Sequence, residues 1–364
     1  MGAMDELIGR AEVTALHAVL AAAAPAVNWD AVPAVSDRLE PLSLRGRTDL
    51  VAEALVEAAG TYGAAAKSFR ASLDDPAFTG WIIWPVTEAA VTLALAEGGT
   101  ETFDDALTLL AECTPRLTAE FAIRRLLQAD PDRALAAVRK WTGHPDARVR
   151  RLASEGTRPY LPWAIRVPAL LSRPEATLPI LEALYDDPDD SVRRSVANHA
   201  NDLARHAPDL VLEAAARWQS AGTPGSAQTV RHALRTLIKK GNPRALELMG
   251  FPPARITVTE LLAEQSVVRL PGKLTFSFLL TNTGEAAARL AVDYAVQYVK
   301  ANGSTSEKVF KLATVELGPG QSRRMSRRHT FEDMTTRRHY SGMHALELQV
   351  NGERCGRLEI ELLT

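Results

Sequence analysis

Arg148-Val149-Arg150-Arg151-Leu152-Ala153-Ser154-Glu155-Gly156 and Ser191-Val192-Arg193-Arg194-Ser195-Val196-Ala197-Asn198-His199 are two copies of one pattern. Each follows a Pro-Asp turn, at Pro145-Asp146 and Pro188-Asp189, and aligning Val149 with Val192 sets the copies 43 residues apart. That spacing is the period of a two-helix repeat. Such a pair cannot bury its apolar face alone, so successive pairs must stack into a solenoid with a concave surface. On a wheel of about 100° per residue, Val149, Leu152, Ala153 and Gly156 form the core stripe of the first copy. Arg148, Arg151, Glu155 and Arg158 fall together on another side. In the second copy the core stripe is Val192, Ser195, Val196, His199 and Leu203. The matching polar stripe holds Arg194, Asn198, Asn201 and Arg205, with Asp202 beside it. The surface is therefore rich in arginine and interrupted by carboxylates.

Outward from this pair, the chain reads as helical from about Met4 to Gly250. Asp49–Ala59 carries an apolar stripe at helical spacing and stops at Gly60. Thr102 is the expected N-cap of a helix through Leu107, Leu110 and Ala111. Further helices are expected over residues 131–142, 147–157, 176–185, 191–205, 210–219 and 228–240. At Gly250-Phe251-Pro252-Pro253 the pattern changes. Period-2 alternation appears in Thr275-Phe-Ser-Phe278 and Ala291–Val299, with turn signals at Pro271-Gly272, Asn302-Gly303, Gly318-Pro319-Gly320 and Asn351-Gly352. Asn351-Gly352 is the strongest of these, because both central positions of a type I′ turn need positive φ. The expected architecture is multidomain α + β. An all-α solenoid of six or so HEAT-like pairs over 1–250 precedes an all-β immunoglobulin-like sandwich of about seven strands over 253–364.

Composition narrows the function. The formal net charge of −2 excludes a globally basic binder, yet residues 253–364 hold 15 basic against 12 acidic residues. Only local patches can point to a nucleic acid. The two cysteines, Cys113 and Cys355, have no metal-ligand spacing, so neither a disulfide framework nor a metal site is expected. The apolar stretch Ala18–Val27 is too short to span a bilayer, and the N-terminus lacks a secretory pattern. A cytoplasmic location is expected. Walker, nucleophile-elbow, H-E-x-x-H and dinucleotide signatures are absent, which removes the commonest enzyme classes.

Packed helices lie roughly 10 Å apart, so Glu155 and Asp202 can face one pocket from adjacent helices. Glu120 lies 35 residues before Glu155, at the equivalent position one irregular repeat earlier. Pro159 drives its predecessor out of the α region, ending the Glu155 helix and projecting Tyr160-Leu161-Pro162-Trp163 as a turn. Plainer readings compete. Arginines after Pro-Asp turns commonly pair with acidic neighbours, and a tryptophan such as Trp163 more often packs than stacks on a ligand. Asn198 and Asn201 suit helix hydrogen bonds, and His199 suits a satisfied core histidine. In the sandwich, eight basic or histidine residues fall between Arg323 and His339. Arg323 and Arg327 share one strand face and Arg324 and Arg328 the other, so part of this run must lie at an edge.

The string Val149-Arg-Arg-Leu-Ala-Ser-Glu-Gly-Thr-Arg-Pro-Tyr-Leu-Pro-Trp163 resembles the signature of bacterial DNA alkylation repair glycosylases, the AlkC branch of the AlkC/AlkD superfamily. Gly80-Trp-Ile-Ile-Trp-Pro85, the Thr-Ala-Glu-Phe-Ala core within Phe103–Leu127, and Val192–Leu203 support the resemblance. Tyr298–Ser304, Lys308-Val-Phe-Lys311 and Thr335-Thr-Arg-Arg-His-Tyr340 resemble the immunoglobulin-like appendage of one AlkC subgroup. Arg125 departs from the family's form, which has proline there. The resemblance implies a monofunctional glycosylase of base excision repair, acting on double-stranded DNA that contains N3-methyladenine or N3-methylcytosine. It implies catalysis by Glu155 and Asp202 with Glu120 assisting, and packing of Trp163 and Trp81 on the sugar or base. DNA contacts are expected from Arg148, Arg151, Arg158, Arg194, Asn198, Asn201, Lys239 and Lys240, and in the sandwich from Lys300, Arg327, Arg328, Arg337 and Arg338. A monomer with no metal, no small-molecule cofactor and no membrane association is expected. The rival readings are a non-enzymatic HEAT scaffold that binds peptides and a HEAT-like bilin lyase.

Overall fold

Helices Ala147–Glu155 and Asp190–Leu203 begin 43 residues apart, as the echo requires. The same chemistry opens both. Asp146 Oδ1 accepts from the Arg148 amide at 2.7 Å, and Asp189 Oδ1 from the Ser191 amide at 2.8 Å. Each aspartate thus satisfies an amide that lacks a partner in the first turn. The core stripes are closed: Val149, Leu152, Ala153, Val192 and Val196 have no exposed surface. Truncating Leu152 to alanine would cost about 2–5 kcal/mol, the range for a buried leucine whose site cannot collapse.

The computed structural model describes residues 4–333 and 338–363, and the chain divides into two compact units, 1–233 and 234–364. In the first, six helical pairs stack as two layers. One layer comprises Arg10–Ala23, Tyr62–Ser72, Thr100–Cys113, Pro131–Trp141, Leu178–Leu184 and Pro208–Ala221. The other comprises Leu44–Ala59, Ile83–Glu97, Ile123–Ala129, Ala147–Glu155, Asp190–Leu203 and Ser226–Ala233. Helices Ile123–Ala129 and Ala147–Glu155 approach closely at Gly156, where an added Cβ would meet Ile123 Cγ2 at 2.9 Å. Thr102 does not cap its helix, which begins at Thr100 after Gly99; the positive φ of Gly98 and Gly99 starts the helix earlier than side-chain capping suggested.

The second unit starts before the strands. The helix expected over 228–240 is split into Ser226–Ala233 and Arg235–Lys239, and the latter falls in the second unit together with Pro243–Leu248. Leu246 is 1% exposed, and a Cβ on Gly241 would meet the Gly352 carbonyl oxygen at 2.7 Å. These short helices therefore pack on the sandwich. The composition change at 250–253 marks where strands take over from helices, not where the compact unit begins.

Among the described residues eight strands follow, where about seven were expected: β1 Ile256–Ala263, β2 Val267–Arg269, β3 Gly272–Asn282, β4 Ala288–Val299, β5 Thr305–Leu317, β6 Ser322–Phe331, β7 Gly342–Val350 and β8 Glu353–Leu363. They form one sheet in the order β1-β3-β6 and a second in the order β2-β8-β7-β4-β5. All pairings are antiparallel except that of β2 with β8. Alternate residues of both sheets, Phe276 and Phe278 against Val292, Tyr294, Leu346 and Leu348, fill the core. Asn351 and Gly352 have φ of 45° and 87°, the positive pair a two-residue hairpin needs between β7 and β8. Cys113 and Cys355 are both free thiols. Among the described residues, no helix is long and apolar enough to cross a membrane, and no group of three or more His, Cys, Asp or Glu side chains could hold a metal ion.

Candidate active site

Glu155 is the last residue of its helix, and the chain turns away immediately after it. Its side chain is buried, 5% exposed, and both oxygens are engaged. Oε1 accepts from Arg158 Nη1 at 2.5 Å, and Oε2 accepts from the Ser195 hydroxyl at 2.6 Å. Arg151, one helical turn earlier, stands 3.8 Å from Oε2. Arg158 then reaches the next repeat, where its Nε donates to Asp202 Oδ2 at 3.0 Å. Asp202 is 2% exposed. The two carboxylates expected to share a pocket are thus joined by one guanidinium.

The third carboxylate enters from the other side. Glu120 Oε2 accepts from Arg151 Nη1 at 2.9 Å and from the Thr118 hydroxyl at 3.1 Å. Burial pushes the Glu120 carboxyl above the usual carboxylate range; Arg151 works against that shift and Glu155 adds to it. Burial alone would lower Arg158, but Glu155 and Asp202 outweigh it and raise the guanidinium further. Three carboxylates are therefore bonded to two arginines, and two of those carboxylates but only one of those arginines line a common cavity. A site built this way favours cations.

Trp163 defines the mouth. It is 67% exposed, with a φ of 61° that is uncommon for a bulky residue. Such strain persists only where the surroundings over-determine it, and Arg124 supplies the constraint. Its fully buried guanidinium donates to the carbonyls of Gly156 at 3.1 Å, Arg158 at 2.8 Å and Ile165 at 2.6 Å, pinning both ends of the Trp163 turn. Burial, reinforced by Arg166 and Arg158, pushes Arg124 down to about 10. Trp163, Trp81, Phe121, Leu161 and Pro162 line a cavity of about 230 Å³ together with Glu120, Glu155 and Arg158. Phe121 stacks on Trp84 at 4.4 Å, and Trp84 lies 6.1 Å from Trp81. One end of the cavity is aromatic and the other ionic. A larger hollow of about 650 Å³ in the second unit is lined by Arg255, Arg289, Glu285 and Glu316 and by no aromatic side chain.

The structure brings together Glu120, Glu155, Trp81 and Trp163 around the cavity, with Asp202 joined through Arg158. Arg158 is a correction to the expected row of DNA-facing arginines: it is 9% exposed and held between carboxylates. Asn201 is likewise buried and Asn198 half-buried, whereas Arg148 is exposed and donates to the Pro115 carbonyl at 2.6 Å. Arg194 is exposed and paired with Asp190. Lys239 and Lys240 are exposed but belong to the second unit. Lys300 is exposed in the turn after β4, and Arg327, Arg328 and Arg338 are exposed, while Arg337 lies outside the described residues. Sequence reasoning missed Ser195, placed in the core stripe, and Arg124, whose role depends on a turn 32–41 residues away. Neither position carries a local signal. His199 is the satisfied core histidine expected: Nδ1 lies 2.9 Å from the Ser154 carbonyl and Nε2 3.1 Å from the Thr177 hydroxyl.

Comparison with known proteins places this geometry. The chain is 38% identical over 253 residues to "Uncharacterized protein YhaZ" of Bacillus subtilis (strain 168), a match spanning 69% of this chain and 70% of that one. The structure superposes on the Pseudomonas fluorescens alkylpurine DNA glycosylase AlkC, bound to DNA containing an abasic site analog, with a TM-score of 0.85, 34% identity and full coverage of both chains. The chain belongs to the AlkC family. Residues 257–364 match the family described as "Uncharacterised protein YhaZ, C-terminal Ig-like domain", so this AlkC member carries the immunoglobulin-like appendage. Arg125, at the position where the resemblance led to an expected proline, sits within the helix Ile123–Ala129 and donates to the Thr92 hydroxyl at 2.6 Å, 3.8 Å from buried Glu88. Glu120 keeps its place beside the cavity despite that change.

Proposed function

We propose that this protein is a monofunctional DNA glycosylase that hydrolyses the N-glycosidic bond of cationic alkylated bases in double-stranded DNA. N3-methyladenine and N3-methylcytosine are the proposed substrates. The observation that carries the reading is the Glu120–Arg151–Glu155–Arg158–Asp202 chain at the ionic end of a tryptophan-lined cavity. Alkylation at N3 places positive charge on the base, so the bond from C1′ to the base nitrogen is already weakened and no strong general acid is needed. As that bond breaks, its electron pair neutralises the base and positive charge builds on the sugar. Buried, pre-oriented carboxylates stabilise that charge without reorganising. Glu155 and Asp202 are assigned this role; one of them aligns the attacking water, whose oxygen bonds to C1′ as its proton passes to a carboxylate. Glu120 assists, and Trp163 and Trp81 pack on the sugar or base.

No lysine is placed at the cavity for Schiff-base chemistry, which supports simple hydrolysis over a lyase step. The protein is proposed to act as a cytoplasmic, DNA-associated monomer in base excision repair. The deciding experiment is an abasic-site assay on methylated duplex DNA. Alkali-sensitive sites that appear with time support the reading. A folded protein that leaves N3-methyladenine in place overturns it and returns the chain to a peptide-binding scaffold.

A further inference from the structure

Most arginines around the cavity already have an anion. Arg151 is bonded to Glu120, Arg158 to Glu155 and Asp202, Arg150 to Asp187, and Arg194 to Asp190. A phosphate would have to compete with those carboxylates. Arg166 and Arg205 differ. Neither has a carboxylate partner among the described residues, and Arg166 makes only long contacts of 3.4 Å to the Pro159 and Leu161 carbonyls. Both are exposed. What holds them is Tyr160: the Arg166 and Arg205 guanidinium carbons lie 4.8 Å and 4.6 Å from its ring centroid. His206 also stacks on that ring at 5.5 Å and hydrogen-bonds to its hydroxyl.

The position of this cluster matters as much as its charge. Tyr160 follows Arg158 by two residues and precedes Trp163 by three, while Arg205 follows Asp202 by three. The cluster thus sits where the Glu155 and Asp202 helices end, beside the mouth of the cavity. A guanidinium stacked on an aromatic face keeps its N–H edge available, the geometry that grips two oxygens of one phosphate. Stacking also fixes two long side chains before any ligand arrives, which removes part of the ordering cost of binding.

We propose that Tyr160, Arg166, Arg205 and His206 form a phosphate clamp that holds the DNA backbone next to the lesion. The clamp rests on the glycosylase reading above. It binds damaged and undamaged duplex alike, because a phosphate carries no information about the base. Each arginine that contacts a phosphate adds about 0.9 to the slope of log affinity against log salt.

The test measures binding of the full chain to undamaged duplex and to duplex with an abasic analogue, between about 50 and 200 mM salt, alongside single-turnover release from methylated DNA. Arg166→Gln with Arg205→Gln is expected to weaken both duplexes equally, lower the salt slope by about two units, and raise the protein concentration needed for half-maximal release. Arg217→Gln removes a charge paired with Glu182 on the opposite helical layer and keeps the wild-type slope. Tyr160→Phe, which preserves the ring, retains the slope; Tyr160→Leu, which removes it, behaves like the double arginine variant. An unchanged slope in a double variant with a wild-type melting temperature overturns the clamp. So does a variant that binds normally but releases base slowly, since the cluster would then act on chemistry. Wild-type protein that binds DNA without releasing base overturns the glycosylase reading instead.

Discussion

Arg158 and Asp202 belong to adjacent repeats, and the 3.0 Å bond from Arg158 Nε to Asp202 Oδ2 joins the turn after one helix to the end of the next. The same guanidinium holds Glu155 at 2.5 Å. A buried ion pair of this kind contributes little net stability, because desolvation offsets the attraction, but removing one partner leaves an uncompensated buried charge. The trio therefore acts as a template that keeps two carboxylates aligned and buried. Its excess of acid over base at the cavity is what a cationic sugar would meet.

Carboxamide replacement tests that excess directly. Glu155→Gln and Asp202→Asn keep shape while removing charge; in the first, the amide oxygen still accepts from Arg158 and the amide nitrogen can donate to the Ser195 hydroxyl. Each is expected to slow single-turnover base release by roughly 10²-fold or more, about 2.7 kcal/mol of transition-state stabilisation. DNA affinity should change little, since phosphates do not touch these groups in the proposed mechanism. Release at the wild-type rate by both variants would refute the assignment.

Lesion choice follows from the same electrostatics. A pocket of carboxylates favours bases that carry formal positive charge, so N3-methyladenine should be released fastest and N3-methylcytosine next, while uracil and 8-oxoguanine remain. Competition between these lesions in one duplex sequence gives the ranking. Efficient uracil release without N3-methyladenine release would reverse the electrostatic argument.

Much of the fold was legible because its signals are local and periodic. The echo of Val149 in Val192 gave the repeat, and the Asn351-Gly352 turn gave one hairpin of the sandwich. Glu155 and Asp202 could be paired because one period separates their helices. Arg158 was misplaced because a wheel extends a helix past its true end: Glu155 closes the helix, and the turn swings Arg158 inward. Pro159 announced the turn that carries Trp163, but what holds that side chain out was not legible: Arg124, buried far away in sequence, pins the ends of the turn. The boundary at 250 failed to anticipate the helices packed on the sandwich, since composition reports secondary structure and not which core a helix joins.

His199 makes the helical unit sensitive to acid. Full burial pushes its imidazole from 6.5 down to about 3, with the Ser154 carbonyl opposing the shift and Arg158 and Arg124 adding to it. The neutral ring donates from Nδ1 and accepts at Nε2. In the unfolded chain the ring takes a proton near its ordinary value, but in the folded protein it does not. Stability is therefore unaffected above about pH 6.5 and falls as pH drops from there toward 3, by up to about 1.4 kcal/mol per pH unit. Urea midpoints at stepped pH should show this decline, and His199→Asn, though less stable at neutral pH, should show a shallower one. Identical slopes in the two proteins would remove His199 as the cause.

The sandwich should contribute its own share of DNA binding, through the edge of its smaller sheet. Among the described residues β6 is paired on one side only, by β3, with Thr275 opposite Arg328 and Phe276 opposite Arg327. Arg323, Arg324, Arg327 and Arg328 are all exposed along it. Arg324 is paired with Glu260 and Arg327 interacts with the Tyr294 hydroxyl, which leaves Arg323 and Arg328 as the stronger anion partners. A charged edge also prevents strand-to-strand aggregation, but one or two lysines suffice for that. Removing the sandwich at residue 253 is the wrong experiment, because Leu246 and Gly241 pack against the hairpin turn at Gly352 and would be stripped. Replacing Arg323, Arg328 and Arg338 with alanine leaves the core intact, and exposed substitutions of this kind usually shift stability by less than about 0.5 kcal/mol. The triple variant is expected to keep its melting temperature, bind duplex DNA more weakly and lose about one unit of salt slope for each phosphate contact removed. If its slope matches wild type, the edge is charged to block aggregation and the sandwich serves another purpose.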